Sequence, residues 1–233
     1  MLSTEDYRQR FINEMSRKES EIDLIEATLL IAGEHNPTID IPSCRSQITR
    51  LAEGARFCVH TNAPIEEIAA ELCKYLYQNQ GFKGNADDYD NPDNSFLDKV
   101  LESHKGIPIS IAIIYMGVGH ALGLKVKGIS FPGHFLIKII GEREIIIDPF
   151  HGKINSRRDC ITLLRNAGEP AERLEHYLKA ASNKEIILRI LNNLKLHYLS
   201  HQNFTESLTY CERRLLLEPE SLQDVLDRGL ILE

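Results

Sequence analysis

A long apolar segment followed at once by short strand-like segments is the feature that most constrains the fold. Residues 107–124 are almost continuously apolar, and Ser110, Gly117, Gly119 and His120 interrupt them. The segment is nearly long enough to span a membrane, but the polar residues and the strand-like sequence behind it argue against that. We therefore predict a helix buried in the core of a globular domain.

Three β-rich runs follow the apolar segment. Turn-forming sequences separate them, first Pro132-Gly133 and then Gly141-Glu142-Arg143. Short runs rich in β-branched residues between such turns are typical of antiparallel strands. We predict strands over residues 125–131, 134–140 and 144–148, and hence an α+β fold.

The second turn determines which side chains lie opposite each other. If Gly141–Arg143 is a three-residue hairpin loop, Ile140 faces Glu144 and His134 lies diagonally across from Asp148 on one face of the hairpin. Diagonal neighbours are about 7–8 Å apart at the backbone, a gap that an imidazole and a carboxylate can close. A two-residue loop would place the two side chains on opposite faces.

A histidine held by a carboxylate supplies the base and the orienting group of a nucleophilic triad. The nucleophile of such a triad is expected near the start of the preceding helix, where the dipole and free N–H groups stabilise a thiolate or an oxyanion. His134 and Asp148 are therefore candidate catalytic residues. Two roles stay open for His134: a buried histidine satisfied by Asp148, or a binding residue at a pocket rim.

This segment resembles the transglutaminase-like superfamily, whose helix opens with a G-x-C-x-x-x-A motif and leads through a Leu-Gly pair to a strand His and an Asp-Pro pair. The matching positions are Gly106, Ala112, Leu122-Gly123, His134 and Asp148-Pro149. The resemblance implies a papain/transglutaminase-like core with a retained His/Asp pair. With the motif anchored on Gly106 and Ala112, the family's catalytic Cys falls on Pro108, which has no nucleophile.

Within the superfamily the chain is more similar to the bacterial SirB-type family, which joins a transglutaminase-like module to helical repeats. The phrases that carry this resemblance are GFKGNADDYDNPDNSFLDKVLE (81–102), KGIPIS, FPGHFL and DPFHG. We predict an N-terminal helical region packed on the core (1–80), the transglutaminase-like core (81–168) and a tetratricopeptide-like segment (169–233).

Three other residues are candidates for a replacement nucleophile. Ser110 lies two residues after Pro108, which is roughly 200° around the helix, so it is expected to face away from Pro108. The favoured role of Ser110 is structural: its hydroxyl either hydrogen-bonds to a backbone carbonyl or caps the helix. Cys58 and Cys73 lie among apolar helical residues and are expected to be structural. We expect His151, after the Asp-Pro-Phe turn, to be a surface residue.

Helical patterns dominate the region before the core. Residues 20–32 carry an apolar stripe and are expected to end at Gly33, and Pro64 is expected to open a second helix that runs towards Gly81. The polar stretch 81–95 is predicted to be an ordered loop near the His/Asp cleft, with Asn94 or Ser95 capping the next helix. Its acidic triplet, Asp87, Asp88 and Asp90, lacks the ligand spacing of an EF-hand calcium loop.

The C-terminal part fits one tetratricopeptide repeat that starts at Leu188, although Arg214 stands where the consensus prefers alanine. A second repeat would start at Leu222, so we expect the natural chain to continue beyond Glu233. His197 and His201 have a spacing that can hold a metal, but no third ligand is evident in the sequence. A solvated helix face is therefore preferred, and no metal site or cofactor is predicted.

Charge and cysteine content exclude some classes of function. The net charge of −7 and the absence of a basic cluster argue against nucleic-acid binding. The five cysteines are scattered without C-x-x-C spacing, which indicates reduced thiols. The N-terminus lacks the apolar region of a signal peptide, so a cytoplasmic protein is predicted, with no membrane partner.

Two function classes follow from these patterns. The first is a non-catalytic transglutaminase-like protein that binds proteins or peptides or has a regulatory role, because Pro108 cannot supply the thiol chemistry. The alternative is a peptidase or acyl-transfer enzyme that uses His134 and Asp148 with Ser110 or another nucleophile. The missing thiol favours the first class.

Overall fold

The computed structural model describes residues 2–232 and combines helices with an antiparallel sheet, which confirms the predicted α+β class. The α-helices are α1 Thr4–Met15, α2 Leu24–His35, α3 Ile41–Ala55, α4 Ile65–Cys73, α5 Leu97–Ser103, α6 Pro108–Ala121, α7 Arg157–Asn166, α8 Leu174–Tyr177, α9 Asn183–Ser200, α10 Phe204–Leu217 and α11 Leu222–Leu232. The strands are β1 Lys83–Gly84, β2 Lys105–Gly106, β3 Val126–Ile129, β4 Leu136–Ile140, β5 Glu144–Asp148 and β6 Lys153–Asn155.

Helix α6 is the predicted core helix. Its residues from Pro108 to Met116 are all buried, as expected of a helix that is apolar around its whole circumference. Helices α2, α3 and α5 and strands β3 and β4 pack around it. No helix within residues 2–232 is long and apolar enough to cross a membrane.

The main sheet has the order β3-β4-β5-β6, with each strand antiparallel to its neighbour. Ile140 pairs with Glu144 across a three-residue loop, so the predicted register is confirmed. Strand β6 was not predicted, because its three residues are too short to show a period-2 pattern. A second, two-stranded sheet pairs β1 with β2 in parallel immediately before α6.

Helix α2 does not end at Gly33, so the predicted stop was wrong. The helix continues to His35, and Gly33 is placed where the buried ring of Tyr7 on α1 packs against the helix backbone. An added Cβ at Gly33 would lie 2.4 Å from Tyr7 Cδ1, so the glycine permits close packing of two helices. The predicted opening of α4 at Pro64 is confirmed, since Pro64 is its N-cap residue.

The loop before α5 is ordered by asparagine side chains. Asn91 accepts a hydrogen bond from the Asp93 N–H and donates one to Asp88, while Asn94 donates to the Asp88 and Tyr89 carbonyls. Neither Asn94 nor Ser95 caps α5, which begins after Phe96 without a side-chain cap, so that prediction was wrong. The Asn94 amide instead stabilises the loop that precedes it.

The C-terminal helices pack on the rest of the chain through both apolar and charged contacts. Buried side chains of α9, including Ile186, Ile190 and Leu194, belong to the same hydrophobic core as α6. The half-buried carboxylate of Glu34 on α2 forms an ion pair with the buried guanidinium of Arg213 on α10. The C-terminal helices are therefore docked against the helices that cover the core.

Candidate functional site

The hairpin of β4 and β5 brings His134 and Asp148 together. His134 lies in the turn before β4, after Gly133, whose φ of +65° is accessible mainly to glycine. His134 Nε2 lies 2.9 Å from Asp148 Oδ2, and both side chains are largely buried. The ring N–H is not aligned with that oxygen, and Nε2 has no hydrogen-bond partner within residues 2–232. The predicted proximity is confirmed, while a catalytic role stays a prediction.

His151 joins this pair, which the sequence did not indicate. Its side chain is 60% exposed, as expected of a surface residue, yet its Nδ1 lies 2.8 Å from Asp148 Oδ2. The backbone N–H of His151 also donates to Asp148 Oδ1. Asp148 Oδ2 therefore contacts two imidazoles, the largely buried one of His134 and the exposed one of His151.

The pKa of Asp148 reflects these contacts. Burial by itself would raise this pKa, but the contacts with His134 and His151 outweigh burial and lower it below the usual range for aspartate. Asp148 is therefore ionised at neutral pH. An ionised carboxylate can orient His134 and stabilise its protonated form.

The start of α6 forms the facing side of the site. Pro108 is in the first turn of the helix, as predicted, where its missing N–H costs no hydrogen bond. The Ser110 hydroxyl donates to the Asn94 carbonyl at 2.6 Å and also lies 3.0 Å from the Ile107 carbonyl. Ser110 is only 1% exposed. Its hydroxyl thus faces the loop that precedes α5.

A groove of about 460 Å³ lies between the start of α6, the His134 turn, the 89–92 loop and α9. Pro108 and His134 both line it, but Ser110 and Asp148 do not. Its walls mix exposed apolar side chains, such as Tyr89 and Leu196, with the amides of Asn91 and Asn193. The groove can therefore present an imidazole beside apolar and amide contacts.

Arg189 on α9 holds the turn that carries His134. Its guanidinium donates to Ser130 Oγ, to the Phe131 carbonyl and to the His134 carbonyl at 2.7 Å. Sequence reasoning missed this residue, although a lone arginine within the apolar run from Ile186 to Leu191 was a usable signal. The C-terminal helices thus help to position the site.

The two cysteines considered as replacement nucleophiles are not activated. Burial and the Asp148 carboxylate raise the pKa of the Cys73 thiol to about 12, so this thiol stays protonated at neutral pH. Burial also raises the pKa of Cys58, whose Sγ faces the carbonyl of Ala55. No cysteine in the described part of the chain lines the groove.

Replacing Asp148 with asparagine is expected to lower the free energy of unfolding at pH 7 by about 1–3 kcal/mol, because His151 loses a charged acceptor and the largely buried His134 loses its anionic neighbour. The pH dependence is also expected to change. Since the folded-state pKa of Asp148 is lowered, its stabilising contribution is present above about pH 4–5 and disappears as the pH falls through the folded-state value. Urea unfolding at several pH values measures both effects.

The matching control for Asp148 is Asp87→Asn, in an exposed loop position. It is expected to leave the free energy of unfolding within about 0.5 kcal/mol of the wild type. An Asp148→Asn variant with wild-type stability and an unchanged acid profile would contradict a stabilising role for this carboxylate.

A central helix packed on an antiparallel hairpin, with a histidine and an aspartate facing the start of that helix, defines the class of papain-like and transglutaminase-like folds. The chain belongs to the transglutaminase-like superfamily, whose family model matches residues 42–192.

Uncharacterised bacterial proteins are similar over most of this chain. A UPF0162 protein of Xylella fastidiosa (strain 9a5c) is 32% identical over 219 residues, which cover 89% of this chain and 76% of the relative. The UPF0162 protein of Vibrio cholerae serotype O1 is 32% identical over 216 residues, or 91% and 80% of the two chains. UPF0162 protein YchA of Escherichia coli K12 is 29% identical over 197 residues, or 82% and 73%.

Proposed function

We propose that this protein is a non-catalytic member of the superfamily whose groove binds an extended peptide segment of a protein partner. The observation that carries the proposal is the combination of an open groove at the His134 side chain with a helix that begins at Pro108. With the motif anchored on Gly106 and Ala112, the family's nucleophile would fall on this proline. A groove without a nucleophile keeps its capacity to bind but loses most of the rate enhancement.

The groove chemistry suits a peptide. Tyr89 and Leu196 are 54% and 51% exposed at its walls and offer apolar contacts for side chains. Asn91 and Asn193 offer both donors and acceptors for the peptide backbone. Mixed apolar and polar lining of this kind is typical of sites that fix the orientation of a ligand.

The placement of Ser110 supports the non-catalytic interpretation. Its buried hydroxyl already donates to the Asn94 carbonyl, and an added Cβ on Gly106 would lie 2.4 Å from Ser110 Oγ. A hydroxyl in this position is a packing and hydrogen-bonding element at the junction of β2 and α6.

The alternative function is a peptidase or acyl-transfer enzyme. The close contact of His134 with the ionised Asp148 favours this alternative, because a histidine oriented by a carboxylate is the general base that such an enzyme requires. It needs a nucleophile within reach of His134 Nδ1, and neither Ser110 nor Cys73 lines the groove. The non-catalytic function is therefore preferred.

We also infer that the chain belongs to the SirB-type branch of the superfamily and that α9, α10 and α11 are tetratricopeptide-like. The packing of α9 on α10 and of α10 on α11, with each pair joined by a short loop, supports this inference. In such an arrangement the repeat helices extend the surface next to the groove. A regulatory or docking role would use both surfaces together.

Selection from a random-peptide library on the purified protein tests the binding function. Peptides that bind the wild type are expected to lose at least about tenfold in affinity for Leu196→Glu, because an apolar wall of the groove becomes charged. Leu216→Glu is the matched control, since Leu216 is 49% exposed on α10 and does not line the groove. Equal affinity for both variants, or a library that yields no binder, would contradict the proposal.

A further inference from the structure

A second cluster of metal-type ligands lies at the other end of the groove from the hairpin. His197 and His201 are one turn apart on α9, and the loop before α5 brings Asp90 against them. Asp90 Oδ2 lies 3.1 Å from His201 Nε2, and Asp90 Oδ1 lies 3.4 Å from His197 Nδ1. The third ligand that the sequence did not reveal is therefore supplied by a distant loop.

The hydrogen bonds of His201 determine which ring nitrogen carries the proton. His201 Nδ1 lies 2.9 Å from the His197 carbonyl, an acceptor only, so Nδ1 must donate. Ser200 Oγ, 3.2 Å away, donates its own proton to the same carbonyl and can only accept from Nδ1. In the neutral ring, Nε2 then carries no proton, and it lies 3.1 Å from Asp90 Oδ2.

An unprotonated ring nitrogen and a carboxylate oxygen only 3.1 Å apart repel each other unless a cation binds both or the ring is protonated. A ring N–H that donates to a backbone carbonyl is also the usual outer contact of a metal-binding histidine, because it fixes the tautomer and the ring orientation. The arrangement at His201 is thus the one that a metal ligand needs.

The loop that carries Asp90 is held in place by its own hydrogen bonds. Asn91 bonds to Asp88 and Asp93, and the Asn94 amide bonds to the Asp88 and Tyr89 carbonyls on the other side. Hydrogen bonds therefore fix the backbone on both sides of Asp90. A ligand on such a loop loses little conformational freedom when it binds an ion.

We propose that Asp90, His197 and His201 form a binding site for a divalent transition-metal ion such as Zn²⁺. Two imidazoles and one carboxylate suit Zn²⁺, Ni²⁺ or Co²⁺, whereas Ca²⁺ and Mg²⁺ prefer oxygen ligands alone. Three protein ligands leave one tetrahedral position for water or for a group of a bound ligand. Asp90 and His197 also line the groove, so the ion would lie at its edge.

The hairpin cluster of His134, Asp148 and His151 also brings three ligand atoms together, but it does not require an ion. Asp148 already accepts hydrogen bonds from the His151 backbone N–H at 3.2 Å and from the His151 ring at 2.8 Å. In the Asp90 cluster the His201 proton points away from the carboxylate. We therefore assign the metal site to Asp90, His197 and His201 rather than to the hairpin cluster.

Zn²⁺ titration of untagged, chelator-treated protein by calorimetry tests the proposal, with Co²⁺ absorption reporting the ligand set. We expect one equivalent of Zn²⁺ to bind, and Asp90→Asn and His201→Ala each to weaken binding by at least about tenfold. Zn²⁺ should also raise the thermal unfolding midpoint of the wild type but not of these variants. Circular dichroism checks that both variants remain folded.

Two histidine substitutions serve as controls. His176→Ala removes an exposed histidine outside both clusters, and His151→Ala removes a ligand of the hairpin cluster. Both are expected to bind Zn²⁺ like the wild type. The proposal is overturned if no stoichiometric binding occurs, if Asp90→Asn and His201→Ala bind as tightly as the wild type, or if binding is lost only in His151→Ala.

Discussion

Replacing Pro108 with cysteine is expected to create a thiol that reacts with iodoacetamide at pH 6 about ten times faster than an ordinary cysteine. The new side chain would lie in the first turn of α6 and in the same groove as His134. The helix N-terminus and the His134 imidazole, when protonated, both stabilise a thiolate, and such surroundings are expected to lower the pKa of this cysteine from about 8.5 to about 6.5. The larger thiolate fraction is partly offset by lower nucleophilicity, which leaves a net gain of about one order of magnitude.

The substitution itself is well tolerated in physical terms, because a residue at the first position of a helix needs no intrahelical partner for its N–H. The wild-type protein measures the background from the five native cysteines, most of which are buried. The rate of the Pro108→Cys variant is followed across pH, so that the thiolate pKa is read directly.

Two further variants test whether the higher thiol reactivity depends on His134 and on position 108. Pro108→Cys combined with His134→Ala is expected to lose most of the enhancement, since the imidazolium is removed. Pro92→Cys lines the same groove but begins only a short 3₁₀ turn, so it should react like an ordinary thiol. If Pro108→Cys reacts no faster than Pro92→Cys, position 108 is not where a nucleophile would be activated.

Replacing Asp224 with alanine is expected to cost about 3–5 kcal/mol of stability, the effect of breaking a buried ion pair from one side. Asp224 on α11 is fully buried and accepts from Lys195 at 2.8 Å and from Arg214 at 2.7 Å. Lys195 is 1% exposed. Burial alone would raise the pKa of Asp224, but hydrogen bonds from Arg214, Lys195 and Ser221 lower it well below its usual range.

Urea unfolding measures the loss, and hydrogen exchange in α11 reports whether this helix detaches before the rest unfolds. Asp224→Asn keeps the volume and some hydrogen bonds, so a smaller loss is expected. Glu220→Ala, an exposed acidic residue just before α11, should change the stability by no more than about 0.5 kcal/mol. Equal losses for Asp224→Ala and Glu220→Ala would contradict the role assigned to the buried charges.

The arrangement of His134 and Asp148 could be predicted because it depends on local rules. A three-residue turn fixes the pairing of Ile140 with Glu144, and extending that register predicts His134 beside Asp148. The strand itself begins at Leu136 rather than at the predicted residue 134, so His134 reaches Asp148 from the turn before β4. The apolar run at 107–124 predicted α6 for a similar reason, since a helix without a polar face must be buried.

Other features depend on contacts between distant segments and could not be predicted. Asp90 meets His197 and His201 only because the loop before α5 packs against α9. The stop predicted at Gly33 failed because the glycine serves the packing of Tyr7 rather than a change in backbone direction. Short-range patterns do not distinguish these two uses of glycine.

The cap predicted at Asn94 or Ser95 failed for a related reason. Asn94 is a good capping residue by itself, but its amide is used by the Asp88 and Tyr89 carbonyls. Polar side chains compete for several backbone partners, and tertiary packing decides which partner they find. For the same reason, the Ser110 hydroxyl donates its hydrogen bond to the Asn94 carbonyl.

The most direct test of the non-catalytic function is labelling of the wild-type protein with a serine-directed fluorophosphonate and a thiol-directed acyl probe. Ser110→Ala and His134→Ala variants are labelled in parallel, and the sites are identified by mass spectrometry. We expect no stoichiometric labelling of a single residue and no change between wild type and variants. Stoichiometric labelling of one residue that disappears in His134→Ala would contradict the account and identify the nucleophile of an enzyme.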